Sequence, residues 1–340
     1  MQAVATYKAL PCEEPRALVD LELPDPTPGD RDLLIRVEAV SVNPADYRMR
    51  LRKADDGQAA VLGWDVAGTV EQVGKRAETS FAPGDRVFYS GDLNRQGANC
   101  ELHAVDARIV GHRPLTLSAA QAAALPLTAL TAWEALFERI GIVRIDEGAV
   151  RTMLILGGAG GVGSMAVQLA KTVPGLRVLA TASSPESQAW CRRLGADEVL
   201  DHSQDLRGQL VSIGLTEVEY VLILSHPDEH FDAVSELLAP HGTICCVVPF
   251  NQPTDLNRLM RKSARFAWEF MFTRPMFHTS DLIKQSSILN EIARMVDTGL
   301  LVSTMSEDMG FICAANLRRA HARLEQGHTL GKLVLTSAWR

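Results

Sequence analysis

The stretch from Leu154 to Lys171 reads Leu-Ile-Leu-Gly-Gly-Ala-Gly-Gly-Val-Gly-Ser-Met-Ala-Val-Gln-Leu-Ala-Lys, and few folds accommodate it. Three apolar residues predict a short buried strand, after which the glycines turn the chain into a helix. Gly158, Gly160 and Gly163 fit the spacing G-x-G-x-x-G, with Ala159, Gly161 and Val162 between them. In that spacing the first glycine allows the tight turn and the second lets a pyrophosphate approach the backbone. The third brings helix and strand close together. The helix N-terminus then points its unpaired N–H groups at the phosphates. A glycine-rich turn alone is a weak signal, because it also makes an ordinary loop. Its context adds weight: Val162, Ala166, Leu169, Ala170 and Val173 keep one helical face apolar, and Arg177 to Thr181 follows as a strand at β-α-β spacing. The stretch reads as a dinucleotide site for a nicotinamide cofactor.

Strand and helix signals alternate on either side of that turn. After Met153 and Arg177 to Thr181 come a helix from Pro185 to Leu194, a strand at Glu198 to Leu200 and another at Glu219 to Leu224. A helix at Phe231 to Ala239 and a strand at Thr243 to Val248 continue the pattern, which implies a mostly parallel sheet covered on both faces. The first third of the chain differs. Short strand runs (Leu33 to Val42, Val61 to Val73, Phe81 to Tyr89) are separated by Pro/Gly turns such as Pro24 to Asp30 and Pro83-Gly84-Asp85. They predict a partly closed all-β unit. An Ala-rich helix then runs from Ala119 to Pro126, where the proline ends it, and a second covers Thr131 to Ile140. The chain closes with a helix at Ser280 to Val296 and short elements at Leu317 to Leu324 and Lys332 to Leu335.

Composition removes several function classes. The 340 residues carry a net charge of -7 and no basic stripe, so nucleic acid is not an expected partner. No apolar run is long enough to cross a bilayer, and Met1 to Leu10 lacks the form of a signal peptide, so the expectation is a cytoplasmic protein without membrane partners. Cys12, Cys100, Cys191, Cys245, Cys246 and Cys313 show no C-x-x-C spacing, and the nine histidines show no zinc pattern. No metal is expected.

Several motifs in order resemble the medium-chain dehydrogenase/reductase superfamily, in its zinc-free, quinone-oxidoreductase-like branch. They are Ser41-Val-Asn-Pro-Ala-Asp46, Leu62-Gly-Trp-Asp-Val-Ala-Gly68, Pro83-Gly-Asp-Arg-Val87, Leu130-Thr-Ala-Trp133, the glycine turn, Leu194-Gly-Ala-Asp197 and Gly331-Lys-Leu-Val-Leu335. Trp268 to Phe277 also resembles a bacterial subgroup labelled zinc-type alcohol dehydrogenase-like. The resemblance implies an α/β fold, a Rossmann doubly wound parallel sheet over residues 127–299, joined to a GroES-like, partly closed β-barrel catalytic domain over residues 1–126 and 300–340. Zinc members place a cysteine near Asn43 and a His-Glu pair after the glycine that corresponds to Gly63. Here that pair is Trp64-Asp65, and an indole cannot ligate zinc. The four-cysteine lobe of those members is also missing between Tyr89 and Cys100.

The resemblance further assigns residues, each of which has a plainer reading. Asn43 matches a position near the nicotinamide ribose and Thr131 one near the nicotinamide, although Asn43-Pro44 also forms turns and Thr131 also caps helices. Lys332 is expected to reach the cofactor, unless it is merely solvated. No carboxylate stands about twenty residues after the glycines, where NAD sites hold the ribose 2′-hydroxyl. Ser183 and Ser184 stand there instead, either donating to a 2′-phosphate or capping the next helix, and His202 matches a tyrosine near that phosphate. NADPH is therefore favoured over NADH. Tyr47 is the candidate acid, one position before the tyrosine of related reductases, and Asp46 is read as structural. Trp64, Tyr89 and Phe250 are expected to line an apolar pocket or to be core. Phe266 to Phe272 reads as an aromatic strand that pairs with its twin in a homodimer, or as an ordinary buried strand.

Together these readings predict a zinc-independent NADPH-dependent reductase acting on a quinone or an α,β-unsaturated carbonyl. Asn43, Tyr47 or water would support the developing oxyanion. The alternative is an NADPH-binding redox sensor or structural protein with little turnover.

Overall fold

The computed structural model describes residues 1–77, 80–142, 148 and 150–339. They form two compact units, Met1–Leu130 with Phe272–Arg340, and Thr131–Met271. The first begins with β1 (Gln2–Thr6), β2 (Val19–Glu22), β3 (Asp32–Ser41), helix α1 (Pro44–Leu51), β4 (Ala60–Val61), β5 (Asp65–Val73), β6 (Arg86–Ser90), β7 (Leu102–Asp106) and β8 (Val110–His112). Two short helices follow, α2 (Ala119–Ala123) and α3 (Pro126–Trp133). Pro126 therefore opens a helix rather than ending one, at the position where its missing N–H costs nothing. From Glu134 to Ile140 the backbone widens into a π-helix.

The second unit carries β9 (Arg151–Leu156), α4 (Gly161–Lys171), β10 (Leu176–Thr181), α5 (Pro185–Arg193), β11 (Glu198–Leu200), α6 (Leu206–Ser212), β12 (Val218–Ile223), α7 (Pro227–Leu237), β13 (Leu238–Cys246) and β14 (Arg265–Trp268). All neighbouring strands run parallel, in the order β11-β10-β9-β12-β13-β14. This is the doubly wound order, with β9 at the centre where the winding reverses. Residues Thr152 to Leu156 of β9 are buried without a break, as a strand covered on both faces requires. Below the sheet, Leu154, Val221, Phe231, Val234 and Leu210 belong to one apolar core.

The chain then returns to the first unit with α8 (Thr273–Phe277), α9 (Lys284–Asp297), β15 (Met305–Phe311), α10 (Ala314–Glu325) and β16 (Lys332–Thr336). Its large sheet has the order β15-β16-β3-β5-β6-β8, with β7 also on β3, and β2-β1-β4 form a second, antiparallel sheet. Within the large sheet only β15 and β16 are parallel. The sequence expectation that residues 272–299 go with the parallel sheet is corrected here. Helix α9 is tied to the antiparallel unit: His112 N donates to Asn290 Oδ1 at 2.9 Å, and Leu115 N to Asp297 Oδ2 at 3.0 Å. Among the described residues no helix is long and apolar enough to cross a membrane.

Candidate functional site

In the parallel unit, the glycine turn joins β9 to α4 at the C-terminal edge of the sheet. Its glycines answer to two different demands. A Cβ on Gly163 would sit 2.3 Å from Gly157 O, and one on Gly158 would sit 2.6 Å from the Ala180 methyl, so the fold itself forbids side chains there. A Cβ on Gly160 would come no nearer than 3.7 Å to any protein atom, ordinary contact distance. The protein does not need glycine at 160, but a ligand lying against the backbone does. Gly160 is also the N-cap of α4, where the first N–H groups, Gly161 to Gly163, have no carbonyl within the helix to bond. Open space, unpaired N–H groups and the positive helix end fit the pyrophosphate of a nicotinamide dinucleotide.

One of the other candidates in this unit, His202, is joined to the turn through a residue that the sequence reading passed over. Thr181, the last residue of β10, accepts Gly157 N on its Oγ1 at 3.0 Å, and Gly158 N donates to its carbonyl at 3.0 Å. The same Oγ1 lies 3.1 Å from His202 Nδ1. Thr181 thus ties the turn to His202, just beyond β11. Ser184 is the N-cap of α5 and accepts Ser187 N at 3.1 Å, so its hydroxyl has a structural task. Ser183 is exposed at the end of β10, with no carboxylate beside it on the strand. Thr131 is buried on α3.

The antiparallel unit brings together Asn43, Asp65 and Lys332, which are far apart in sequence. Lys332 Nζ, at the start of β16, donates to Val42 O at 2.9 Å, to Asp65 Oδ2 at 2.9 Å and to Asn43 Oδ1. Asn43 Nδ2 donates to Asp65 Oδ2 at 2.8 Å, and Leu127 N donates to Asp65 Oδ1 at 2.7 Å. The three side chains are buried. An ammonium has three protons, and all three are committed here. Lys332 is therefore not a solvated lysine: it is buried and spends its protons on Val42, Asn43 and Asp65. The cluster also fixes the Asn43 carboxamide, oxygen on Lys332 and nitrogen on Asp65.

This donor set does not fit zinc. Three or four nitrogen, oxygen or sulfur ligands are needed, whereas Asp65 is engaged by a buried ammonium whose charge repels a dication. Trp64 donates its indole N–H to Asp92 O at 3.1 Å. Among the described residues, no group of three or more His, Cys, Asp or Glu side chains is placed to hold a metal ion.

Residues 29–129 match the alcohol dehydrogenase GroES-like domain and residues 194–335 the zinc-binding dehydrogenase family. A zinc-type alcohol dehydrogenase-like protein of Staphylococcus aureus strain Mu50 is 39% identical, over 98% of this chain and 99% of its own length. The chain belongs to the medium-chain dehydrogenase/reductase superfamily. A Rhizobium etli CFN 42 protein, solved under a provisional zinc-dependent alcohol dehydrogenase name, superposes with a TM-score of 0.95 at 44% identity, over 100% of this chain and 99% of that one. The quinone oxidoreductase of Coxiella burnetii is 27% identical with a TM-score of 0.80, over 99% of both chains. A mycobacterial protein solved with NADPH is 28% identical with a TM-score of 0.83, again over 99% of both. Membership of this superfamily makes the chain an oxidoreductase with a nicotinamide cofactor.

Within this superfamily member, Tyr89 and Trp64, two of the residues expected in a pocket or in the core, are buried in the core. Tyr89 is fully buried, with its hydroxyl 2.8 Å from His103 Nδ1 and its ring stacked on that imidazole. Burial lowers the His103 pKa to about 4, so the ring is neutral and can share the phenolic proton. Trp64 packs edge-on against Phe272. Phe250 is half-buried and packs edge-on against Phe231 of the parallel unit's core, with Phe266 and the exposed Trp268 on its other sides. Tyr47 lies on helix α1, not on a strand, and is half-buried beside Arg48. On a helix a one-residue offset turns a side chain by about 100° rather than to the opposite face. The strand expected over Phe266 to Phe272 is shorter, Arg265 to Trp268, and Phe272 already belongs to the other unit.

Proposed function

We propose that this oxidoreductase is an NADPH-dependent reductase that works without zinc and reduces quinones or α,β-unsaturated carbonyls. The observation that carries the zinc-free reading is the Lys332 ammonium on Asp65, the second residue of the Trp64-Asp65 pair that stands where the resemblance puts a His-Glu pair in zinc members. When bound, the cofactor supplies a hydride equivalent from its nicotinamide ring. The protein's part is to seat and orient it. The glycine turn takes the pyrophosphate, with Ser183 and His202 beside the adenosine ribose. Asn43 and Thr131 are proposed to serve the nicotinamide end. No acid follows Thr181 on β10 to repel a 2′-phosphate, which supports NADPH over NADH. Tyr47 is the one candidate acid that the fold leaves partly exposed, with no hydrogen-bond partner for its hydroxyl among the described residues. Water is the other source of the proton.

The protein is proposed to act in the cytoplasm, where its six free cysteines would stay reduced. It is also proposed to pair as a homodimer along β14, whose outer edge has no strand partner among the described residues and beside which Trp268 and Phe270 are exposed. The test of function is NADPH and NADH consumption with a benzoquinone and with a 2-alkenal, after dialysis against a chelator. Turnover of NADPH that survives chelation supports the reading. NADPH binding without turnover by either acceptor would instead support a sensor.

A further inference from the structure

Two carboxyls and one ammonium are shut into the same part of the antiparallel unit. Asp46 and Asp65 are wholly buried, and Lys332 is 3% exposed. Their pairing is unequal. Asp65 receives an ammonium, a carboxamide N–H and a backbone N–H, with both oxygens engaged, as an ionised carboxylate requires. Asp46 Oδ2 accepts one backbone N–H, from Asn43 at 2.6 Å, while Oδ1 is buried and has no hydrogen-bond partner among the described residues. None of the three Lys332 protons is left for it. One cation offsets one anion, and a second buried charge would stand without a counter-ion, at a cost of several kcal/mol.

We propose that Asp46 is held as a neutral carboxylic acid in the folded protein, and that in this form it is a positioning residue for Asn43. A neutral Asp46 leaves Lys332 on Asp65 and on the Asn43 oxygen, so the carboxamide stays fixed. Ionised, Asp46 becomes a second anion beside Asp65 and competes for the same ammonium, which frees Asn43. Burial raises the Asp46 pKa to about 7 and Asp65 adds to the rise, against the Asn43 N–H bond and the Lys332 charge. Other charged groups nearby have partners of their own. Arg50, one turn along α1, is taken up by Leu10 O and by Glu325 of α10. His321 of α10 is buried near Arg50, and burial lowers its pKa to about 3, so it is neutral. Arg48 is exposed. Only the consequence for turnover rests on the reductase reading.

The test is the melting temperature of the wild type and of Asp46→Asn, a neutral isostere, from about pH 4 to about pH 9. An unfolded aspartate ionises near pH 3.9, so between about pH 4 and pH 7 the folded wild type binds the extra proton and loses stability as pH rises. The variant lacks this loss. The expected result is a gap, variant minus wild type, that widens from about pH 4 to pH 7 and is level above. A gap that is constant or that narrows over that window would overturn the neutral acid. The infrared spectrum of the folded wild type at about pH 6 needs no variant and covers the case in which Asp46→Asn fails to fold. It should show the carbonyl stretch of a neutral buried carboxyl, and absence of that band overturns the proposal. If benzoquinone is turned over, the wild-type kcat should fall about tenfold on the alkaline side with little change in the KM for NADPH, and that limb should be absent in Asp46→Asn. Parallel pH profiles would overturn the positioning role. An inactive wild type would count against the reductase reading alone, because the melting and infrared results do not depend on turnover.

Discussion

At the glycine turn the protein offers a ligand empty space and backbone N–H groups. At Asp65 and Lys332 it uses nearly every donor and acceptor it has. The first site is made by consecutive residues, Gly157 to Gly163, and carries no charged side chain. The second is assembled from Asn43, Asp65, Leu127 and Lys332, and its ion pair is buried. A local site made of backbone can wait open for its partner, because water satisfies the exposed N–H groups until the ligand arrives. A buried charge cannot wait. It must be paired within the fold, so the cluster is closed and its Asn43 held in one orientation.

Breaking the closed cluster should therefore have the largest effect. Lys332→Met leaves Asp65 buried and unpaired, and about 3–5 kcal/mol of stability should be lost in urea unfolding. A loss below about 1 kcal/mol would show that water reaches the carboxylate and that the cluster is not closed. Tyr89→Phe should cost about 1–3 kcal/mol, because His103 Nδ1 loses its partner inside the core. The KM for a quinone should not move, and a large change there would return Tyr89 to the pocket. The smallest effect belongs to the open site. Ser183→Ala touches no hydrogen bond described in the fold and should leave melting within about 0.5 kcal/mol of the wild type. It should weaken NADPH a few-fold and NADH not at all, checked by fluorescence titration of each.

Much of the parallel unit could be read from sequence because its signals are local. Apolar runs bounded by glycines give strands, and Ser184-Pro185 opens a helix whether or not a cofactor is near. The boundary at residues 271 and 272 could not be read so. Lys284–Asp297 is an amphipathic helix in either unit, and only its bonds to His112 and Leu115 decide which. Tyr89 and Trp64 were ambiguous for a similar reason, since an aromatic ring reads alike in a core and in a pocket. The chain did carry a hint of the cluster: Asp65 sits between Trp64 and Val66, in a run otherwise fit for a buried strand. A charge there demands a counter-charge, but nothing local says that it comes from Lys332. Thr181 was not legible because a threonine ending a strand is ordinary there, and only the fold brings its hydroxyl to Gly157 N and His202.

The most direct measurement is an NADPH titration of Gly160→Ala beside the wild type, with melting of both, and with Gly163→Ala as the control for a glycine that the fold itself requires. If the space at Gly160 belongs to the cofactor, Gly160→Ala melts like the wild type and binds NADPH at least about tenfold more weakly, a change of about 1.4 kcal/mol. Gly163→Ala should lose both stability and binding, because its Cβ would lie 2.3 Å from Gly157 O. Wild-type NADPH affinity in Gly160→Ala would contradict a pyrophosphate lying against this turn, and with it the cofactor site on which the proposed reductase rests.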